Sequence, residues 1–450
     1  MQLASQSPDR WQQTLSGRTL EASSIEVLTS TAEYRDRLFQ LIASATRRIH
    51  IAALYLQNDD AGRAIMEALY EAKKRTPDLD VRVLVDFHRA QRGLIGKGPQ
   101  VGNDQFYREV AQKYAPVQIE LYGVPVKSRE WAGVLHLKGF VIDDTVVYSG
   151  ASINDVYLQW QERYRYDRYH LIHDPVLSDS LSNFMLEDLI GSEAVVSLLD
   201  TPIPSVKALR RSIKQLKMRL SRASYALPED NGTGSVTVFP LIGLGRQSNQ
   251  LNRTIIDMLK GARSSVFICT PYFNLPSQLS SVIGRLLKRG VRVQIVVGDK
   301  TANDFYMPPE QGFSSVGALP YLYEQNLKRF AKRYQGAIDH GLLDLQLWFD
   351  NSNSFHLKGI QVDDRHYLLT GNNLNPRAWA LDLENGLLLQ DNRGQLKAKF
   401  ERERQTILQH TTRLNNHQEL ESLNEYPAQV TRLLKRLQRV RADLLLKRML

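Results

Sequence analysis

The sequence predicts an α/β protein made of two copies of one unit, and three observations predict it. His136-Leu-Lys-Gly-Phe-Val-Ile-Asp-Asp144 recurs as His356-Leu-Lys-Gly-Ile-Gln-Val-Asp-Asp364, at an offset of 220. Gly150-Ala-Ser-Ile-Asn154 follows the first copy and Gly371-Asn-Asn-Leu-Asn375 the second. Both halves then run through the same order of apolar segments: helix, strand, helix, strand, helix and a run of strands.

Residues 31–46 and 248–263 have helical periodicity and lead into the apolar strands Ile49–Leu56 and Val266–Phe273. Residues 60–75 and 277–290 read as amphipathic crossover helices to the strands Val81–Asp86 and Val291–Val296. A third strand is expected near Val117–Leu121 and near Leu343–Trp348. Each motif then opens a hairpin, with Asp143-Asp144 and Asp363-Asp364 at the turns. Further on, Asp167–Asp174 lines up with Glu384–Asp391. Strand–helix alternation followed by hairpins predicts two mixed, mostly parallel sheets flanked by helices, one per unit, related by a pseudo-twofold axis. The expected boundaries are 1–202 for the first unit, 203–230 for a basic linker helix, 231–427 for the second unit and 428–450 for a basic C-terminal helix.

Composition bounds the function. In 450 residues, 42% are apolar and 24% charged, which excludes a mostly disordered or fibrous chain. The net charge of +10 suggests an anionic partner. That charge is concentrated. Ile203–Tyr225 carries seven basic residues, Arg210, Arg211, Lys214 and Lys217 among them, and no acid. Val206, Leu209, Ile213, Leu216 and Leu220 form a narrow apolar stripe on the same helix. In 428–450 a stripe of Val430, Leu433, Leu437, Val440 and Leu444 runs among seven basic residues and one acid, Asp443. The remainder of the chain is close to neutral, so the charge is not spread over a nucleic-acid groove, and no specific nucleic acid is expected. Both helices suit an anionic phospholipid surface, with Arg210, Arg211, Lys214 and Lys217 supplying charge and Leu209, Ile213 and Leu216 facing lipid. No apolar run approaches the 18 or so residues of a membrane span. Met1–Arg10 is polar and unlike a signal peptide. The single cysteine, Cys269, sits in an apolar strand and reads as a core thiol, so a reducing, cytoplasmic setting is expected.

The repeated motif carries the chemistry. On extended chain, residues i and i+2 face the same way, so His136 projects with Lys138 and His356 with Lys358. Asn154 and Asn375 can each add an amide donor. Packed as pseudo-twofold partners, the halves would set two imidazoles across one pocket among two ammonium groups. That suits phosphoryl transfer with no metal and no cofactor: one imidazole attacks phosphorus, the other acts as acid and base. Asp143, five residues past Lys138, lies roughly 16 Å along the strand, too far to meet His136. Asp143 and Asp363 are therefore read as structural turn residues. Asp167 and Glu384, the repeat-matched carboxylates on a later strand, are the expected orienters of the histidines. Tyr55 and Tyr272 match in the repeat near the ends of the first strands and are candidate substrate contacts.

His-x-Lys-x4-Asp, followed by a glycine-to-asparagine element and occurring twice, resembles the phospholipase D superfamily. Ala151 and Asn372 stand where that family usually has serine. More narrowly, His136–Tyr157, Tyr164–His170 and Leu368–Trp379 are similar to the bacterial phosphatidylserine synthase family within it. The resemblance implies two phospholipase D-like domains. It implies CDP-diacylglycerol and L-serine as substrates, and phosphatidylserine and CMP as products, through a phosphatidyl-histidine. It also implies His136 as nucleophile, His356 as acid/base, peripheral attachment at the cytoplasmic face of the inner membrane, and association with ribosomes. A phospholipase D-type hydrolase or a nuclease is the alternative.

Overall fold

The computed structural model describes residues 10–92, 102–308, 312 and 314–439. Among these, each half builds one large sheet. In the first, the spatial order is Val196–Ser197, Glu120–Val124, Asp80–Asp86, Arg48–Ala53, Phe140–Ile142, Thr145–Ser149, Tyr169–His173 and Ile25–Leu28. The strands Arg48–Ala53, Asp80–Asp86 and Glu120–Val124 are parallel. They are joined by the helices Asp60–Arg75 and Asn103–Tyr114, which carry the chain back to the starting edge. The second sheet repeats this with the parallel strands Ser265–Thr270, Arg292–Gly298 and Leu343–Trp348. Gly359–Val362, His366–Thr370, Leu383–Asp391 and Val236–Leu244 then add on antiparallel. Parallel pairing is thus confined to three strands per sheet, and every other pairing in the two sheets is antiparallel.

The expected helices form at Thr31–Ser44, Asp60–Arg75, Gln250–Gly261 and Ser277–Lys288. The first starts at Ser30, whose side chain accepts from Glu33 N–H, and the second at Asp59, which accepts from Gly62 N–H. The third strand of the first unit begins at Glu120 rather than Val117, because Val117 N–H is held by Tyr114 O at 2.9 Å in the turn that ends the preceding helix.

One apolar core joins the halves. Leu135, Leu137, Val141 and Val146 of the first pack with Val236, Val238, Leu369, Leu383 and Leu387 of the second. The boundary expected at 202 does not describe the N-terminal segment: Arg18–Leu20 pairs antiparallel with Val236–Val238 at the edge of the second sheet. Gln12 reaches His366 at 2.8 Å. The long strand Val236–Leu244 would otherwise present an unpaired edge.

The basic segment forms the helix Val206–Leu220. Its stripe does not face outward. Leu209, Ile213, Leu216 and Leu220 are buried in the joining core with Phe184 and Tyr225, so the expectation that Leu209, Ile213 and Leu216 meet lipid is corrected. Arg210, Arg211, Lys214 and Lys217 stay exposed on the opposite face. The C-terminal helix covers Ala428–Arg439, with Val430 and Leu434 buried against Tyr321 and Tyr426. Val440 and Leu444 lie outside the described residues. Among the described residues no helix is long and apolar enough to cross a membrane.

Candidate active site

His136 and Lys138 lie in the extended segment just before Phe140–Ile142, and His356 and Lys358 just before Gly359–Val362. At these segments the halves exchange backbone hydrogen bonds. His136 N–H donates to Leu383 O, and Leu383 N–H to Val134 O, each at 3.0 Å. His356 N–H donates to Tyr166 O at 2.8 Å, and Ser354–Phe355 pairs in parallel with Arg165–Tyr166.

Those crossings bring each carboxylate to the histidine of the other half. His136 Nδ1 lies 2.8 Å from Glu384 Oε1 and 2.9 Å from Oε2. His356 Nδ1 lies 2.9 Å from Asp167 Oδ2. Lys358 Nζ donates to the same oxygen at 3.2 Å and touches His356 Nδ1. Both histidines, both lysines and both carboxylates are buried.

Burial, followed by Lys138 and Lys358, drives the His136 pKa well below the imidazole range, so its ring is neutral with a lone pair to offer. His356 is lowered to about 4 by burial and Lys358, against the pull of Asp167. Burial opposes the charge on Asp167, but Lys358 and His356 outweigh it and hold the carboxyl below its usual range. Burial and Asp382 push Glu384 up, while Lys138 and Lys358 pull the other way. Lys138 falls to about 7 through burial and the neighbouring Lys358. Two buried ammonium groups beside two imidazoles form a set of donors that can meet phosphoryl oxygens.

The glycine and asparagine of the second element have distinct jobs. A Cβ on Gly371 would lie 2.5 Å from Lys138 Cγ, and one on Gly150 would lie 2.5 Å from Asp167 Oδ1. Both positions leave room for a buried charged side chain. Asn154 Oδ1 accepts from Tyr157 N–H and Asn375 Oδ1 from Ala378 N–H, both at 2.9 Å. With the carbonyl engaged as a cap, only the amide nitrogen of each is left to donate.

Asp143 and Asp363 sit away from the histidines. Asp143 accepts from the N–H groups of Thr46, Arg47 and Arg48, and Asp363 from those of Arg263, Ser264 and Ser265. Each ties its hairpin turn to the entry of the unit's first strand. Tyr272 places its ring 6.1 Å from that of His356 and donates to Asp304 at 2.9 Å. Tyr55 lies beneath Arg89, whose guanidinium is 4.9 Å from the ring centre. Arg210, Arg211, Lys214 and Lys217 are on the exterior of their helix and take no part in this cluster.

Four neighbours escaped the sequence reading. Tyr157 Oη lies 3.0 Å from His356 Nδ1. Asn385 clamps Lys138 on both sides of its backbone, accepting from its N–H and donating to its O, each at 2.8 Å. Arg165 and Asp304 pair at 2.7 Å close to Tyr157. Asn385 and Arg165 flank the two orienting carboxylates in sequence, which was the available signal. Asp304 had none, since it lies in the loop after the second parallel strand, outside the stretches that repeat in sequence.

Comparison with known proteins agrees with this geometry. Residues 38–187 and 255–407 match the family model described as cardiolipin synthase, PLD-like domain. The chain is 48% identical over 435 residues to a CDP-diacylglycerol–serine O-phosphatidyltransferase of Haemophilus influenzae, covering 96% of each. It is 46% identical over 426 residues to the enzyme of that name from Escherichia coli K12, covering 95% of this chain and 94% of that one. The crystal structure of phosphatidylserine synthase from Haemophilus influenzae superposes with a TM-score of 0.94 at 47% identity, covering 98% of this chain and 99% of that one. With two family domains, two complete motifs and relatives matched end to end, the chain belongs to the phospholipase D-like CDP-diacylglycerol–serine O-phosphatidyltransferases.

Proposed function

We propose that this chain transfers the phosphatidyl group of CDP-diacylglycerol to L-serine, releasing CMP, with His136 as nucleophile and His356 as acid/base. The observation that carries the reading is the crossed pair of buried imidazole–carboxylate contacts, His136 with Glu384 and His356 with Asp167, around two buried lysines. In the first step Nε2 of His136 attacks the diacylglycerol-bearing phosphorus. The bond to the CMP oxygen breaks and its electron pair leaves with CMP. That leaving group needs little help, because a phosphate monoester has a second pKa of about 6. In the second step the serine hydroxyl gives its proton to His356 and attacks the same phosphorus. The bond to His136 breaks and phosphatidylserine leaves. Lys138, Lys358, Asn154 and Asn375 donate to the phosphoryl oxygens in both steps.

The substrate lies in a bilayer, and the exposed basic face of Val206–Leu220 supplies attraction to anionic lipid at the cytoplasmic side of the inner membrane. Ribosome association, implied by the resemblance, would draw on the same exposed charge.

The test is trapping with labelled CDP-diacylglycerol. His356→Ala is expected to accumulate a labelled protein adduct without transfer to serine, and His136→Ala to form none. The reverse pattern would exchange the roles. Water accepted as readily as serine by the unaltered protein would make it a hydrolase instead.

A further inference from the structure

The pseudo-twofold symmetry of the site is broken in charge. Two residues before Asp167 stands Arg165, and two before Glu384 stands Asp382. Three residues after Asn154 is Tyr157, and three after Asn375 is Ala378. Each side carries an ion pair at this position with the charges reversed: Asp382 pairs with Arg377 at 3.2 Å on the His136 side, and on the His356 side Arg165 makes a largely buried pair with Asp304, which comes from a different loop. Arg165 Nε lies 2.7 Å from Asp304 Oδ1, with side chains only 15% and 10% exposed. Tyr272 donates to the other oxygen of Asp304 at 2.9 Å, and the Arg165 guanidinium lies 4.6 Å from the centre of the Tyr157 ring. Tyr157 in turn contacts His356.

Resting on the transferase reading, we propose that Arg165 and Asp304 are the acceptor subsite, holding the carboxylate and the ammonium of an amino-acid zwitterion beside His356. A buried ion pair is a poor source of stability, because desolvation offsets most of the attraction. Beside a reacting centre it has a better use. A zwitterion brings one charge of each sign and can exchange partners with the pair, so the number of buried charges of each sign stays matched. Water and simple alcohols bring neither charge and cannot replace the interaction they disrupt. Nor does the pair suit the diphosphate of the donor, which would meet the Asp304 carboxylate. The location also fits the chemistry. The acceptor must approach phosphorus opposite the bond to His136 and give its proton to His356, and the pair stands on the His356 side.

The experiment measures acceptor kinetics on the full chain with CDP-diacylglycerol in mixed micelles. For the unaltered protein, ethanolamine (no carboxylate) and 3-hydroxypropionate (no ammonium) should each be used at least tenfold less efficiently than serine. Asp304→Asn should raise the KM for serine more than tenfold and the KM for CDP-diacylglycerol less than twofold, and should shrink the preference for serine over 3-hydroxypropionate. Asp304→Glu, which keeps the charge for Arg165 but displaces it, should raise the serine KM as well and serves if the Asn variant does not fold. An unchanged serine KM in a folded variant overturns the subsite, as does a parallel rise in both KM values. Failure of the unaltered protein to transfer to serine at all would instead overturn the transferase reading.

Discussion

Glu384 meets His136 Nδ1 at 2.8 Å, although the two residues come from different halves of the chain. The crossing is reciprocal, since Asp167 of the first half meets His356 of the second. Neither half alone therefore holds an oriented histidine, and the two carboxylates should fail in different steps. Glu384→Gln replaces an acceptor-only carboxylate by an amide that can donate to Nδ1 and fix the wrong tautomer of the proposed nucleophile, so CMP release should fall on the order of 10³–10⁴-fold, the scale of losing an orienting carboxylate. Asp167→Asn acts on the acid/base, so the adduct should still form and then persist. Rapid-quench measurement of CMP and of labelled protein checks both. Equal losses of CMP release in the two variants would refute this division.

The lowered pKa values set the pH profile. In the proposed mechanism His356 must be neutral to take the serine proton and Lys138 charged to bind phosphate; His356 is lowered to about 4, so activity should fall only as pH drops toward that value. Lys138 is lowered to about 7, so kcat/KM for CDP-diacylglycerol should decline as pH rises through that region. Lys138→Arg keeps its charge throughout the range and should move the basic limb to higher pH, at reduced rate. Profiles of kcat/KM from pH 4 to 10 for both proteins test this. A basic limb that stays in place in the arginine variant would assign it to another group.

Much of this site was legible because the chain states it twice. His136, Lys138 and the repeat-matched carboxylates could be named from spacing, and Asp143 could be set aside on distance alone. What could not be read was which carboxylate serves which histidine. That depends on backbone pairing between segments 248 residues apart, and local patterning says nothing about it. Tyr157, Arg165 and Asp304 were hidden for a related reason: they are where the copies differ, and repetition was the signal. The basic helix misled in a third way. A narrow stripe of leucine and isoleucine looks the same whether it faces a core or a bilayer, and only its contact with Phe184 and Tyr225 separates the two.

That contact changes what the helix Val206–Leu220 can do at a membrane. Leu209, Ile213, Leu216 and Leu220 are used inside the protein, so the lipid attachment proposed for this helix rests mainly on the exposed Arg210, Arg211, Lys214 and Lys217. Each basic side chain close to an anionic surface contributes about 1 kcal/mol, so replacing all four by Gln should weaken binding to anionic vesicles by a large factor. Because that attraction is screened over about 8 Å at physiological salt, binding by the unaltered protein should also fall as salt rises. The same four changes leave the core intact, so thermal stability should move little. Ile213→Ala should do the opposite: it opens a cavity in the core that joins the halves, at about 2–5 kcal/mol, and should lower the melting temperature while vesicle binding of the folded protein is retained. Vesicle sedimentation and thermal melts of both variants separate the two roles. Loss of vesicle binding by folded Ile213→Ala, with binding kept in the four-Gln variant, would restore the lipid-facing stripe and refute the electrostatic attachment.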